Sequence, residues 1–126
     1  MIRAKALTLR SETEILYMNS ARHNEILKAI TDKAKSIVPQ NSEVILFGSQ
    51  ARGDAREDSD WDVLILLDKD RILLDDYDTY SYPLREMGWD IGADINTVLY
   101  TKKAWQHDVA CPFHENVTAD GIRLWA

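Results

Sequence analysis

The chain has one cysteine, Cys111, among its 126 residues. A single thiol closes no disulfide within the chain and builds no cysteine zinc cluster, so it reads as a small hydrophobe. Long apolar runs are missing too. The longest aliphatic stretch, Val63 to Leu67, is five residues, against about 20 for a membrane-spanning helix. Met1 to Arg10 carries basic residues without an apolar block, so no secretory signal is expected there. A cytoplasmic, reducing compartment is therefore expected. An excess of positive charge is also absent, since 15 basic and 21 acidic residues give a net charge of −6. A protein that grips nucleic acid through phosphates is usually basic or shows a dense basic patch. Neither direct nucleic-acid binding nor a membrane site is expected. There is no internal repeat and no low-complexity linker. The length suits one domain, residues 1–126, with a real core.

Charge is unevenly spread along the chain. Residues 1–38 hold seven basic and four acidic side chains, whereas residues 54–78 hold ten acids and three bases. Charge runs usually mark solvated faces. A few acids of the second segment nevertheless stand in a pattern suited to chemistry.

Hydrophobic spacing outlines the elements. Ser11-x-x-Glu14 has the form of a capping box. Ile15, Met18, Ile26, Ile30, Ala34 and Ile37 then recur at helical spacing up to Pro39. This predicts one long helix, or two broken near Asn19-Ser20. Val44–Phe47 and Asp60–Leu67 read as strands, and Val63–Leu67, apolar on both sides, is expected to be covered on both faces. Arg71 to Met87 is near-helical, with Pro83 inside it as a kink and Gly88 as a stop. Ile91–Tyr100 reads as a third strand, placing Asp94, Asn96 and Val98 on one face. Lys102–His107 starts a short helix, Pro112-Phe113 breaks the pattern, and Gly121 precedes Ile122–Trp125. Helices and short strands in this order predict an α+β fold, a small mixed sheet flanked by helices.

The stretch with chemical content runs from Phe47-Gly48-Ser49-Gln50-Ala51-Arg52-Gly53-Asp54 to Ser59-Asp60-Trp61-Asp62. Residues i and i+2 of a strand point to one face about 6.5–7 Å apart. Asp60 and Asp62 at that spacing can hold divalent cations. Two such ions sit about 3.5–4 Å apart and clamp both ends of an in-line phosphoryl displacement. Hard oxygen ligands favour Mg²⁺ or Mn²⁺. Trp61 points the other way, into the core. A Gly48-Ser49 turn at a strand end offers backbone N–H groups and a hydroxyl to phosphate oxygens; capping a helix is the other reading of Ser49. Arg52 is either a further phosphate contact or a surface ion-pair partner. Gly48-x4-Gly53 has the glycine spacing of a P-loop, but Asp54-Ala55 follows where that motif needs Lys and then Ser or Thr. Asp54, Glu57 and Asp58 read as solvated loop acids. His23, His107 and His114 show no metal spacing and read as structural or surface residues, and Trp89, Trp105 and Trp125 as core or interface.

Gly48-Ser49, ten residues, then Asp60-Trp61-Asp62 resembles the signature of the DNA polymerase β-like nucleotidyltransferase superfamily. The text around it is similar to the minimal nucleotidyltransferase branch. The third strand, Ala93-Asp94-Ile95-Asn96, stands where that family places a third carboxylate. Lys102–Trp105 and Pro112-Phe113…Gly121-Ile122 extend the resemblance over residues 20–126, leaving Met1–Asn19 as an extension, helical or partly ordered. The resemblance implies Mg²⁺-dependent transfer of a nucleoside monophosphate from an NTP such as ATP to an acceptor hydroxyl. Asp60, Asp62 and Asp94 would be the catalytic metal ligands, with two Mg²⁺ ions. Gly48, Ser49 and Arg52 would bind the nucleotide. For Asp94 the alternative is an ordinary solvent-facing strand residue.

Free-standing members of this branch resemble the antitoxin half of two-component systems. Their usual partner is a helical RNase toxin of the HEPN type, which receives AMP on a tyrosine. About 25 residues follow the third strand, which leaves an acceptor pocket hard to place within one chain and favours a protein partner. Two other readings stay open: an aminoglycoside-type adenylyltransferase acting as a homodimer, and a non-catalytic module that neutralises a partner by contact.

Overall fold

The computed structural model describes the backbone from Glu12 to Trp125, and side chains from Ser20 onward. The capping box at Ser11 and residues 1–11 lie outside the described residues. One unbroken helix, α1 (Glu12–Ile37), resolves the choice left open at Asn19-Ser20. Polar residues without Gly or Pro do not interrupt helical hydrogen bonding. Its 26 residues span about 39 Å. Ile26, Ile30 and Ala34, four residues apart, form its buried stripe.

Strand β1 (Glu43–Phe47) is followed by a single helical turn, α2 (Ser49–Arg52), and by the central strand β2 (Trp61–Leu67). The segment between β2 and the third strand is helical in three pieces: α3 (Leu74–Asp76), a π-helical turn (Tyr77–Ser81) and α4 (Tyr82–Asp90). The expected kink at Pro83 takes this form. Pro83 follows directly on the π-turn; its missing N–H leaves a carbonyl of the preceding turn without a helical donor, and the π-turn carries the change of register. Gly88 lies inside α4 rather than ending it. The chain turns at Gly92, whose φ of 75° suits glycine.

Strand β3 (Ile95–Thr101) begins later than the spacing predicted, so Asp94 lies just ahead of it. Helix α5 (Lys102–His107) is capped by the Thr101 hydroxyl, which accepts from the Ala104 N–H at 3.0 Å. Pro112 opens a helix instead of breaking one: α6 (Pro112–Asp120) starts on it, as a proline with preset φ can. Strand β4 (Ile122–Trp125) closes the chain.

The strands form one mixed sheet in the order β3-β2-β1-β4. β1 runs antiparallel to β2 and β4, and β2 parallel to β3. The α+β expectation is met. One face of the sheet packs Val44, Leu46, Trp61, Val63, Ile65, Leu67, Ile95 and Leu99 against Ile26, Ile30 and Ala34 of α1 and Leu84 of α4. The other face packs Leu64 and Leu66 against Trp105 of α5 and Val117 of α6, with Phe47, Val98, Tyr100 and Phe113 around them. Strand β2 is thus covered on both faces, as its apolar run implied. Among the described residues no helix is long and apolar enough to cross a membrane.

Candidate active site

Side chains alternate along a strand, so Asp60 and Asp62 emerge on the same face as Leu64 and Leu66, the face covered by α5 and α6. They sit at the sheet end that those helices leave open. Asp60 is exposed and Asp62 half-buried. Trp61 faces the opposite core at 3% exposure, with the His23 ring 4.7 Å from it. The expected split between two outward carboxylates and an inward tryptophan is what the fold builds.

Antiparallel pairing sets Phe47 opposite Asp62, which brings the Gly48-Ser49 turn against the carboxylates. Gly48 has φ 77° and ψ −161°, a region essentially reserved for glycine. A Cβ built on Gly48 would run into the Asp62 carboxylate. Glycine is therefore required twice over, by backbone conformation and by the space Asp62 occupies. The turn closes through Ala51 and Arg52 N–H groups donating to the Gly48 carbonyl. The first N–H groups of such a turn, at Ser49 and Gln50, have no partner inside it, and Ser49 adds its hydroxyl beside them.

The surrounding loop is braced by Gln50, which sequence reasoning passed over. It is 7% exposed and its amide donates to the Ser59 carbonyl at 3.2 Å. Its own carbonyl meets His23 Nε2 of α1, also at 3.2 Å. This ties the segment ahead of Asp60 to α2 and α1, and gives His23 the structural role expected of it. His114 stacks on Trp105 with ring centres 4.2 Å apart. Of the other three tryptophans, Trp105 is buried, Trp125 is partly buried and Trp89 is exposed.

Arg52 is engaged with acids on both sides, Asp54 at 3.2 Å and Asp120 of α6 at 3.6 Å. Its ion-pair alternative is realised, with the guanidinium still near enough to Asp62 to favour that carboxylate's ionised form. Burial, and then the neighbouring Asp60 charge, push the Asp62 carboxyl above the usual carboxylate range; the Asn96 hydrogen bond and Arg52 pull the other way.

The third strand brings a different residue to the pair than Asp94. Parallel register matches Asp62 with Asn96, and Asn96 Nδ2 donates to Asp60 Oδ2 at 2.9 Å and to Asp62 Oδ1 at 3.4 Å. Asp94 stands before the strand, exposed, its carbonyl accepting from the Trp61 N–H at 2.8 Å. Among the described residues no three acids, cysteines or histidines come together as a metal site.

A cleft of about 670 Å³ lies mainly on the α1 side. Arg22, Arg56, Ser59 and Trp61 line it with Asp94, and neither Asp60 nor Asp62 reaches it.

A carboxylate raised first by its burial, hard oxygen donors on one face, and a glycine turn kept clear of any Cβ suit a divalent cation carrying phosphate. Fold and site together define a phosphate-handling α+β domain of the nucleotidyl-transfer class. The model of the nucleotidyltransferase domain family matches residues 24–116, and the chain belongs to that family; it is a nucleotidyltransferase. A protein of Methanocaldococcus jannaschii whose name proposes it as a protein adenylyltransferase is 31% identical over 101 residues, covering 80% of this chain and 92% of that protein. Two crystal structures share the fold. One, described as a toxin-antitoxin with AMP-PNP, has 20% identity and a TM-score of 0.56, covering 79% of this chain and 73% of that one. The other, from Sulfolobus solfataricus and proposed by name as a nucleotidyltransferase, has 22% identity and a TM-score of 0.56, covering 82% of each chain.

Proposed function

We infer that this chain transfers AMP from ATP to a tyrosine hydroxyl of a partner protein, a helical RNase toxin of the HEPN type, and so acts as its antitoxin. The observation that carries the reading is the Asp60–Asp62 pair, set on one face at the mouth of the sheet with the Gly48 turn against Asp62. The adenylyltransferase name of the Methanocaldococcus jannaschii relative and the toxin-antitoxin description of one structure of the same fold support the acceptor and partner. So does the openness of the carboxylate face. A small acceptor would need an enclosing pocket, and the 670 Å³ cleft lies mainly on the other face.

In this reading Asp60 and Asp62 would hold two Mg²⁺ ions. Gly48 and Ser49 seat the triphosphate, and Arg52 adds positive charge at its edge. Bound Mg²⁺ would neutralise phosphate charge and ease ionisation of the acceptor hydroxyl. Asp94, just ahead of β3, would take the hydroxyl proton. The tyrosine oxygen bonds to the α-phosphorus of ATP and pyrophosphate leaves. An unperturbed tyrosine has a pKa of about 10, so a nearby base and positive charge are both needed at neutral pH.

Mass spectrometry on the neighbouring gene product, incubated with this protein, Mg²⁺ and ATP, should show AMP-sized increments on a tyrosine peptide. Asp60→Asn with Asp62→Asn should lower the rate by about 10³-fold or more, as expected when several kcal/mol of charge stabilisation are lost. Full activity in that double variant would sink the assignment.

A further inference from the structure

The crossover from β2 to β3 has one side without a partner. Leu73, Leu74, Tyr77, Tyr82 and Trp89 are five of the seven large hydrophobic residues that stand exposed among the described residues, Leu74 at 87%. The Tyr82 and Trp89 rings meet edge-on with centres 6.0 Å apart. The π-turn lines these side chains up. Tyr77 and Tyr82, five residues apart, would stand about 140° apart around a regular α-helix. Here the Tyr82 N–H donates to the Tyr77 carbonyl, which puts both on one side. Inward, the same turn lets Asp76, Ser81, Leu84 and Gly88 all be buried, with Ser81 hydrogen-bonded to Thr97 of β3. From Leu74 to Trp89 the exposed stripe runs about 22 Å. Tyrosine and tryptophan clustered in the open are the usual anchors of a protein contact, and π-turns recur at functional sites.

Charge says what fits there. Four exposed acids, Asp75, Asp78, Glu86 and Asp90, interleave with the stripe, against one exposed base, Arg85. None of the four acids is ion-paired among the described residues. A surface of this sign repels a second copy of itself, nucleic-acid phosphates and anionic lipid, and it suits a basic protein. The stripe also ends near the chemistry. The Trp89 carbonyl accepts from the Gly92 N–H at 3.3 Å, and Gly92, Ala93 and Asp94 line the 670 Å³ cleft. We propose that the exposed face of residues 73–90 is the docking surface for the acceptor protein, which lays a basic amphipathic helix along Leu74, Tyr77, Tyr82 and Trp89 and so brings its hydroxyl to the end of the sheet where Asp94 stands. The inference rests on the reading that the acceptor is a helical protein that cleaves RNA, since such a protein needs positive charge to hold RNA phosphates. The aromatic side chains supply the grip, and the acids select the partner and speed the encounter.

Calorimetric titration of the full chain with the neighbouring gene product, without ATP, reads docking, and initial rates of AMP transfer read chemistry. Tyr82→Ala with Trp89→Ala should weaken docking by about thirtyfold or more. The KM for the protein acceptor should rise by a similar factor, while kcat and the KM for ATP stay unchanged. Asp78→Lys with Glu86→Lys should weaken docking by about tenfold at low salt, and the gap should close at high salt. All four side chains are exposed, and an unchanged melting temperature shows that each variant is folded. A folded aromatic double variant that docks as tightly as the unsubstituted protein overturns the proposal. So does failure of the unsubstituted chain to bind, or docking that salt does not weaken; neither of these needs a variant to fold. A homodimer in sedimentation that the aromatic double variant dissolves would make the stripe a self-contact and overturns it as well. The two levels separate cleanly. Docking that depends on the stripe without any AMP transfer leaves the surface standing and removes the transfer reading. AMP transfer with an acceptor KM that ignores the stripe does the reverse.

Discussion

The two faces of the sheet are built to different standards. The face under α1 and α4 is sealed by aliphatic side chains, with Ile30, Val44, Leu46, Val63 and Leu84 fully out of solvent. The face under α5 and α6 has two short helices and an aromatic cluster in which Phe47, Tyr100, Trp105 and Phe113 meet with ring centres 5.2–6.2 Å apart. That thinner cover stops short of the sheet end, and there Asp60, Asp62 and Asn96 stand. The division teaches where stability and chemistry reside in a small domain. A long helix on one side covers the larger of the two apolar clusters. The other side can then leave charged groups half-solvated beside a glycine turn without unfolding the sheet.

Breaking the sealed face should produce the largest effect on folding and the least on ligand. Ile30→Ala removes a fully buried side chain from the centre of α1 and should cost about 3 kcal/mol in urea denaturation. Phe113→Ala, on the partly exposed cluster, should cost about 2 kcal/mol yet weaken nucleotide binding more than Ile30→Ala does. If the two variants, compared below their unfolding transitions, lose nucleotide affinity equally, the faces are not divided as described.

The Gly48 turn sharpens the comparison, because stability and site meet at one residue. Gly48→Ala meets a backbone region costing about 1–3 kcal/mol for a side chain-bearing residue, and its Cβ collides with the Asp62 carboxylate. Nucleotide affinity by calorimetry should fall by about tenfold or more. Ser49→Ala should lose one hydroxyl contact, about 1 kcal/mol or some fivefold, with the melting temperature unchanged. A larger loss from Ser49→Ala would move the phosphate contact from the backbone to the hydroxyl.

Much of this site was legible in the sequence because its signals are local. Gly48-Ser49 ends a β-rich run, and the i, i+2 spacing of Asp60 and Asp62 puts both on one face wherever the strand goes. The residue of β3 that meets them was not legible. Asp94 and Asn96 share a face, and only the parallel register of β2 with β3 selects between them; that register is set by packing across a 27-residue connection from β2 to β3. Pairing of Arg52 with Asp120 is likewise long-range. Pro112 misled for a different reason: proline is a breaker within a helix and a favoured opening residue of one. Its local sequence does not say which side of a boundary it marks. The bracing amide of Gln50 carries no pattern at all, and its one detectable sign is a polar residue beside the glycine turn.

A remaining effect is electrostatic, and it tests whether the crossover from β2 to β3 is held by the same kind of interaction as the site. Asp76, 7% exposed, accepts from the Leu73 N–H at 2.7 Å and from Lys69 Nζ at 2.8 and 2.9 Å. Those bonds, the backbone one foremost, hold its carboxyl below the usual carboxylate range. Asp62 is displaced the opposite way, so the two acids have opposite effects on folding. A carboxylate with a lowered native pKa stabilises the fold above its unfolded value of about 3.9, and that contribution is lost as pH falls through the native value. Asp76→Asn keeps the shape but loses the charge-assisted bonds. It should therefore be less stable than the unsubstituted protein by about 1–2 kcal/mol at pH 6, measured by urea denaturation, with the gap narrowing toward pH 3. A gap that stays constant between pH 6 and pH 3 would mean that Asp76 acts through packing alone. The ionic anchor of the crossover would then have to be sought elsewhere on Lys69.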